Sequence, residues 1–191
     1  MLTHLSIGYS TFFPDASNYD FGSSPRSWAA VPAMRHALTL YPHSSWFFLL
    51  SPHGLIMNPS IDLKQHVLDP KRLEQVMIRD TPVVPPDSVI RTFSHLKGDK
   101  IDLVLTQDKE GLCQGSFILR RGEWSKFFLD TWFDPLYRSY NFQKAEGHAL
   151  VCLVLASIIL YCCWLTQKTG TRSSMAPHNP YETRTRTPKP S

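Results

Sequence analysis

Much of what would announce a function is missing from this chain. Four cysteines occur among 191 residues; Cys152, Cys162 and Cys163 share one apolar stretch, leaving Cys113 alone. That arrangement shows neither a disulfide framework nor a zinc-type spacing. No glycosylation sequon is present: Asn58 is followed by Pro59, and no other Asn has Ser or Thr two residues on. The first twenty residues lack a basic segment leading into an apolar one, so no signal peptide is read. There is no Gly-x-Ser-x-Gly elbow, no phosphate-binding loop, no His-Glu-x-x-His and no internal repeat. Charge is missing as well where a nucleic-acid face would need it. The net charge is +4, but the tail from Thr166 to Ser191 carries Lys168, Arg172, Arg184, Arg186 and Lys189 against Glu182. The body is therefore neutral, which excludes a basic recognition face and nucleic acid as the partner.

What is there reads as one α/β domain with a changed C-terminal quarter. Residues 1–27 are polar and turn-rich. From Pro32, Ala33, Met34, Ala37, Leu38 and Tyr41 fall on one helical face, with the proline in the first turn. Trp46–Leu50 (WFFLL) is a buried strand by its length and apolar character. Ser60–Leu68 is expected to be helical, and Asp69-Pro70 starts a helix with Leu73, Val76 and Met77 as its buried stripe. Thr81–Asp87, with three prolines, is a loop. Ile101–Thr106 and Gly115–Arg121 read as further strands, and Glu123–Trp132 as an amphipathic helix whose Trp124, Phe127, Phe128 and Trp132 share a face. Strands alternating with helices imply an α/β sheet. Continuous apolar strands imply burial on both faces in a largely parallel sheet.

Ala149–Leu165 is apolar apart from Ser157, at the short limit for crossing a bilayer. A buried core helix and a C-terminal membrane helix both fit; either way a single helix is expected. Residues 166–191, rich in Pro, Ser, Thr and Arg, have a disordered composition.

The candidate chemistry collects at strand ends, where open α/β sheets bind ligands. Ser51-Pro52-His53 closes the first strand. Gln107-Asp108 closes the second, and Gly115-Ser116 opens the third. Asp108 is a candidate sugar-site carboxylate, and equally a turn cap; Gly115 either borders a pocket or relieves crowding. Asp134-Pro135 ends the aromatic helix, and Glu146-Gly147-His148 follows, a carboxylate and an imidazole suited to general-base or acceptor-positioning roles. His53 could ligate a metal, although one imidazole without a carboxylate holds a hard cation weakly.

The order Trp46…Leu-Ile-Met-Asn-Pro-Ser60, Gln107-Asp108, Gly115-Ser-Phe-Ile-Leu-Arg120, Trp124, Trp132, Asp134-Pro135 and Glu146-Gly-His-Ala-Leu150 resembles glycosyltransferase family 34. The likeness is strongest to the fungal Golgi α-1,6-mannosyltransferase subunits of mannan polymerase. It covers roughly residues 28–150. The resemblance implies a partial GT-A fold, a Rossmann-like sheet that binds a nucleotide sugar, with flanking helices. It also implies GDP-mannose as donor, manganese as cofactor, a glycan acceptor, other complex subunits as partners and residence in the Golgi membrane. By position, Ser51 and His53 replace the Asp-x-Asp pair that holds the metal. Asp108 and Glu146 are then the catalytic candidates, and Asn58, Gln107, Gly115, Ser116, Asp134 and His148 the substrate-binding ones. A scaffolding subunit that has lost metal-dependent catalysis is the alternative. The family's N-terminal anchor and part of its first nucleotide-binding unit are missing, so the resemblance implies a truncated member. The likeness stops at Leu150, and the codons of Val151-Cys152 must read GTN-TGY, a fungal intron-donor pattern. Residues from 151 onward are therefore expected to translate intron or shifted frame.

Overall fold

The computed structural model describes residues 8–82, 91–107, 112–139, 145–156 and 162–166. The elements run α1 (Ala30–Leu40), β1 (Trp46–Leu50), α2 (Pro70–Val76), β2 (Leu103–Gln107), β3 (Leu112–Arg120), α3 (Glu123–Trp132), α4 (Pro135–Arg138), α5 (Ala145–Ala156) and β4 (Cys162–Thr166). The chain is thus α/β, as the alternating pattern requires.

Local chemistry explains most helix boundaries. α1 follows a helical turn at Arg26–Ala29 and carries Pro32 in its own first turn, where the missing N–H does no harm. The Asp69 carboxylate accepts from Arg72 N at 3.2 Å, capping α2, and Pro70 is its first residue. The helix expected over Ser60–Leu68 shrinks to one turn, Lys64–Leu68. Asn58 and Asp62 draw the preceding backbone into local turns, accepting from Ser60 N and Lys64 N at 3.0 Å each. α3 has the expected bounds, but Phe127 is 66% exposed. The buried face runs Trp124, Phe128, Trp132 at four-residue spacing, and the stacked Trp124 and Phe128 rings lie 5.1 Å apart.

The three expected strands share one sheet, in the order β1-β3-β2-β4. The largely parallel arrangement is corrected. β3 lies between β1 and β2 and pairs antiparallel with both, and only β2 and β4 pair in parallel. The reason is connection length: four residues, 108–111, separate β2 from β3. Parallel neighbours need a crossover of about a dozen or more residues.

Burial is two-sided only near the sheet centre. On one face Phe47, Leu103, Leu105, Phe117 and Leu119 pack with Met34 and Leu38 of α1, Phe128, Leu129 and Trp132 of α3, and Leu150 and Leu153 of α5. On the other, Val104 and Ile118 meet Leu73, Met77 and Ile101. β1 lies at the sheet edge, and its Phe48 and Leu50 are 39% and 38% exposed, so the expectation of two-sided burial fails there.

The long C-terminal apolar helix is corrected too. α5 ends at Ala156, and Cys162–Thr166 becomes β4, whose backbone is satisfied by the ladder with β2. α5 buries Ala145, Ala149, Leu150, Leu153 and Val154, so it is part of the core. Among the described residues no helix is long and apolar enough to cross a membrane. Most of the proline loop (83–90), residues 157–161 and the tail from 167 lie outside the described residues.

Two outcomes follow from this packing. A Cβ added at Gly98 would stand 2.0 Å from Pro70 O and 2.7 Å from its carbonyl carbon, with only backbone to yield. Gly98→Ala should therefore destabilise by about 3 kcal/mol, read by urea unfolding; a loss below about 1 kcal/mol would contradict the packing. Burial raises the Asp102 carboxyl above its ordinary value, and Arg120 at 4.0 Å offsets this only in part. A raised folded value means the folded state holds the proton more tightly, so stability falls as pH rises from the ordinary carboxylate value to the raised one. Asp102→Asn should raise Tm at pH 7, and the gain should vanish in acid. A Tm gain independent of pH would argue against charge burial as the cause.

Candidate functional site

The C-terminal ends of β1 and β2, the N-terminal half of β3 and the first turn of α5 meet at one end of the sheet. β1 hands over to a tight turn in which Gly54 N donates to Ser51 O at 2.9 Å. A Cβ on Gly54 would fall 2.3 Å from Leu50 Cδ1, so a larger residue in this turn would displace the Leu50 side chain. His53 stands exposed on this turn.

Ser51 N donates to Gly115 O at 2.7 Å, extending the β1–β3 ladder by one rung. A Cβ on Gly115 would lie 3.3 Å from Ser51 Cβ, so Gly115 lets Ser51 and β3 stand side by side. Ser116 pairs with Leu50 and so belongs to the opposite face of the sheet.

Beyond Phe117 the β2–β3 ladder is irregular. Leu105 pairs with Phe117 but Gln107 with Leu112, so Thr106 alone opposes Cys113–Ser116. Such a bulge bends a strand and re-aims its side chains. Here it brings Gln114 beneath α5, where its Nε2 donates to Glu146 Oε1 at 3.3 Å. Glu146 lies in the first turn of α5, where a carboxylate suits the helix dipole. The buried Trp132 indole donates to Glu146 O at 3.0 Å and ties that turn to α3.

The structure thus sets Ser51 beside Gly115, and Glu146 against the adjoining Gln114, with Gln107 at the end of β2 and exposed His148 on the same α5 turn. Asn58 and Asp134 each make a local bond: Asn58 accepts from Ser60 N, and Asp134 accepts from Leu136 N at 2.7 Å to cap α4. Asp108 lies outside the described residues. Gln114 is the residue that sequence reasoning missed. It reads as an ordinary turn residue, and no pattern in the sequence announces the bulge that brings it under α5.

Manganese fits poorly here. Among the described residues no three His, Cys, Asp or Glu side chains gather to hold a metal. At the strand end the donors are one hydroxyl and one imidazole, whereas hard cations prefer carboxylate oxygens. Surface grooves also lie elsewhere among the described residues, and their arginines are already engaged. One, between α1 and α3, holds an Arg35–Asp130 pair at 3.1 Å. In the other, at the start of β1, Arg121 binds Leu38 O at 2.6 Å and Arg120 binds Asp99 O at 2.6 Å.

The comparisons with known proteins name the class. The chain belongs to the galactosyl transferase GMA12/MNN10 family (glycosyltransferase family 34), which matches residues 3–167. That span runs past Leu150 and takes in α5 and β4, so it extends beyond the stretch over which the motifs alone show the likeness. Among its relatives is an uncharacterized alpha-1,2-galactosyltransferase, C8D2.17, of Schizosaccharomyces pombe, 35% identical over 68% of this chain and 40% of the relative. A second from that organism, C1289.13c, is 29% identical over 81% of this chain and 43% of its own length. The probable alpha-1,6-mannosyltransferase MNN10 of Saccharomyces cerevisiae is 32% identical over 66% of this chain and 33% of its own. The chain therefore spans less than half the length of these relatives. No solved structure matches it.

The indole tether can be tested directly. Trp132→Phe removes the indole donor and leaves Glu146 O only its bond within α5, which should cost about 1 kcal/mol. Amide exchange should accelerate in the first turn of α5 and leave β2 unchanged. Equal acceleration in both would show a general loss of packing instead.

Proposed function

We propose that the protein is a nucleotide-sugar-dependent hexosyltransferase of the GT-A type, nominally moving mannose from GDP-mannose to a glycan acceptor. The observation that carries this is the placing of Ser51 against Gly115, and of Glu146 against the adjoining Gln114, at the carboxyl end of β1. In this reading the Gly115 wall lets a sugar approach the backbone closely, and Ser51 hydrogen-bonds the donor. The Glu146 carboxylate orients an acceptor hydroxyl. Asp108 and Gln107 complete the sugar contacts, while Ser116, on the opposite sheet face, contributes through its backbone.

The metal is where this chain departs from the resemblance. Ser51 and His53 do not fit manganese, so the diphosphate charge falls to His53 and to whatever basic group a partner brings. Preorganised charge and metal together supply several kcal/mol in such reactions, and turnover without a well-held ion should be slow. Golgi-membrane residence and assembly with other mannosyltransferase subunits belong to the same proposal and rest on the resemblance. A scaffolding role gains support only from the missing carboxylate pair.

The test is incorporation of labelled mannose from GDP-mannose into an α-mannoside by the full chain, with UDP-galactose as rival donor and with or without EDTA. Slow mannosyl transfer that EDTA changes by less than about twofold is expected. Galactosyl transfer alone would replace the donor assignment, and fast transfer abolished by EDTA would overturn the metal argument. Donor binding without transfer would favour the scaffold.

A further inference from the structure

Gln114 is held in a way that packing alone does not require. Its amide nitrogen donates to Glu146 Oε1 at 3.3 Å, while its amide oxygen is buried and has no hydrogen-bond partner among the described residues. A buried amide oxygen without a donor is a penalty that most folded structures avoid. The opposite assignment of the amide would set two oxygens against each other at Glu146, so the orientation follows from the carboxylate. Gly147 adjoins the same oxygen: a Cβ there would stand 2.6 Å from Gln114 Oε1. Gly147, in the first turn of α5, thus leaves the Gln114 carboxamide its present place, which a side chain at 147 would displace.

We infer that Gln114 is a positioning residue that fixes the Glu146 carboxylate toward the substrate, and that a Cβ at position 147 would push the carboxamide out of this place. The inference rests on the reading of Glu146 as the group that faces the acceptor. With Oε1 held by Gln114 and the backbone carbonyl of Glu146 held by Trp132, the side chain is restrained at both ends. Its second oxygen is left to accept from a sugar hydroxyl. The β3 bulge makes this reach possible, so bulge, glutamine and glycine form one device.

Two measurements on the full chain separate this inference from the functional reading. By NMR, the Gln114 side-chain amide protons should exchange slowly, shift in Glu146→Gln, and be released to fast exchange in Gly147→Ala. In the labelled-sugar assay, Gln114→Met, which keeps the shape and deletes the donor, should lower kcat roughly tenfold at unchanged donor KM and unchanged Tm. Gly147→Ala should show the same loss, and the Gln114→Ala/Gly147→Ala double variant should be no worse than Gln114→Ala alone. Free-solvent exchange of the Gln114 amide, or a wild-type kcat in Gln114→Met, would overturn the inference. Transfer missing from the wild type would instead overturn the functional reading, with amide exchange still deciding the lock.

Discussion

The antiparallel course of β3 is the constraint on which the rest of the structure depends. It is the one strand bonded to both β1 and β2, and its residues Phe117, Ile118 and Leu119 are buried on alternating faces. Through them the helical layer of α1, α3 and α5 and the smaller layer around α2 are joined. Beyond Phe117 the same strand leaves regular pairing with β2 while its ladder with β1 continues, and that departure brings Gln114 to the candidate site. Core and site thus use successive stretches of one strand, regular where apolar packing governs and irregular where a polar group must be presented.

The site differs from a metal-centred one in where its fixed charges lie. The strand end offers Ser51 and an exposed His53 on a turn, and the carboxylate arrives from α5 on the other side. Glu146 is held through side chain and backbone by Gln114 and Trp132. A carboxylate placed this way is suited to recognising hydroxyl groups, whereas a pair at the end of β1 would be suited to a cation.

How much of this was legible in the sequence depends on the range of the interaction. α2 and α3 could be read because their determinants are local: the Asp69 cap followed by Pro70, and the repeat of Trp124, Phe128 and Trp132. Position 127 was misassigned because apolar character alone does not say which side of a helix a phenylalanine takes. Strand direction was readable in principle from the four residues between Gln107 and Leu112, yet apolar continuity pointed the other way. The C-terminal apolar run was misjudged because pairing with β2, distant in sequence, divides it between helix and strand. Ser51, Gly115 and Glu146 were legible as strand-end and helix-start groups. Gln114 was not, since its role exists only once the β2–β3 register slips.

The two ladders of β3 also differ in the length of chain each must close. The β2–β3 pair closes over residues 108–111, whereas the contact of Ser51 with Gly115 closes over everything between them. With loop entropy growing by about 0.6 kcal/mol per doubling of length, the longer closure carries a handicap of roughly 2 kcal/mol. The rung that joins the two halves of the site is therefore the slower to form and the readier to open. Assembly of the candidate site is, in kinetic terms, a late event on a frame that already exists.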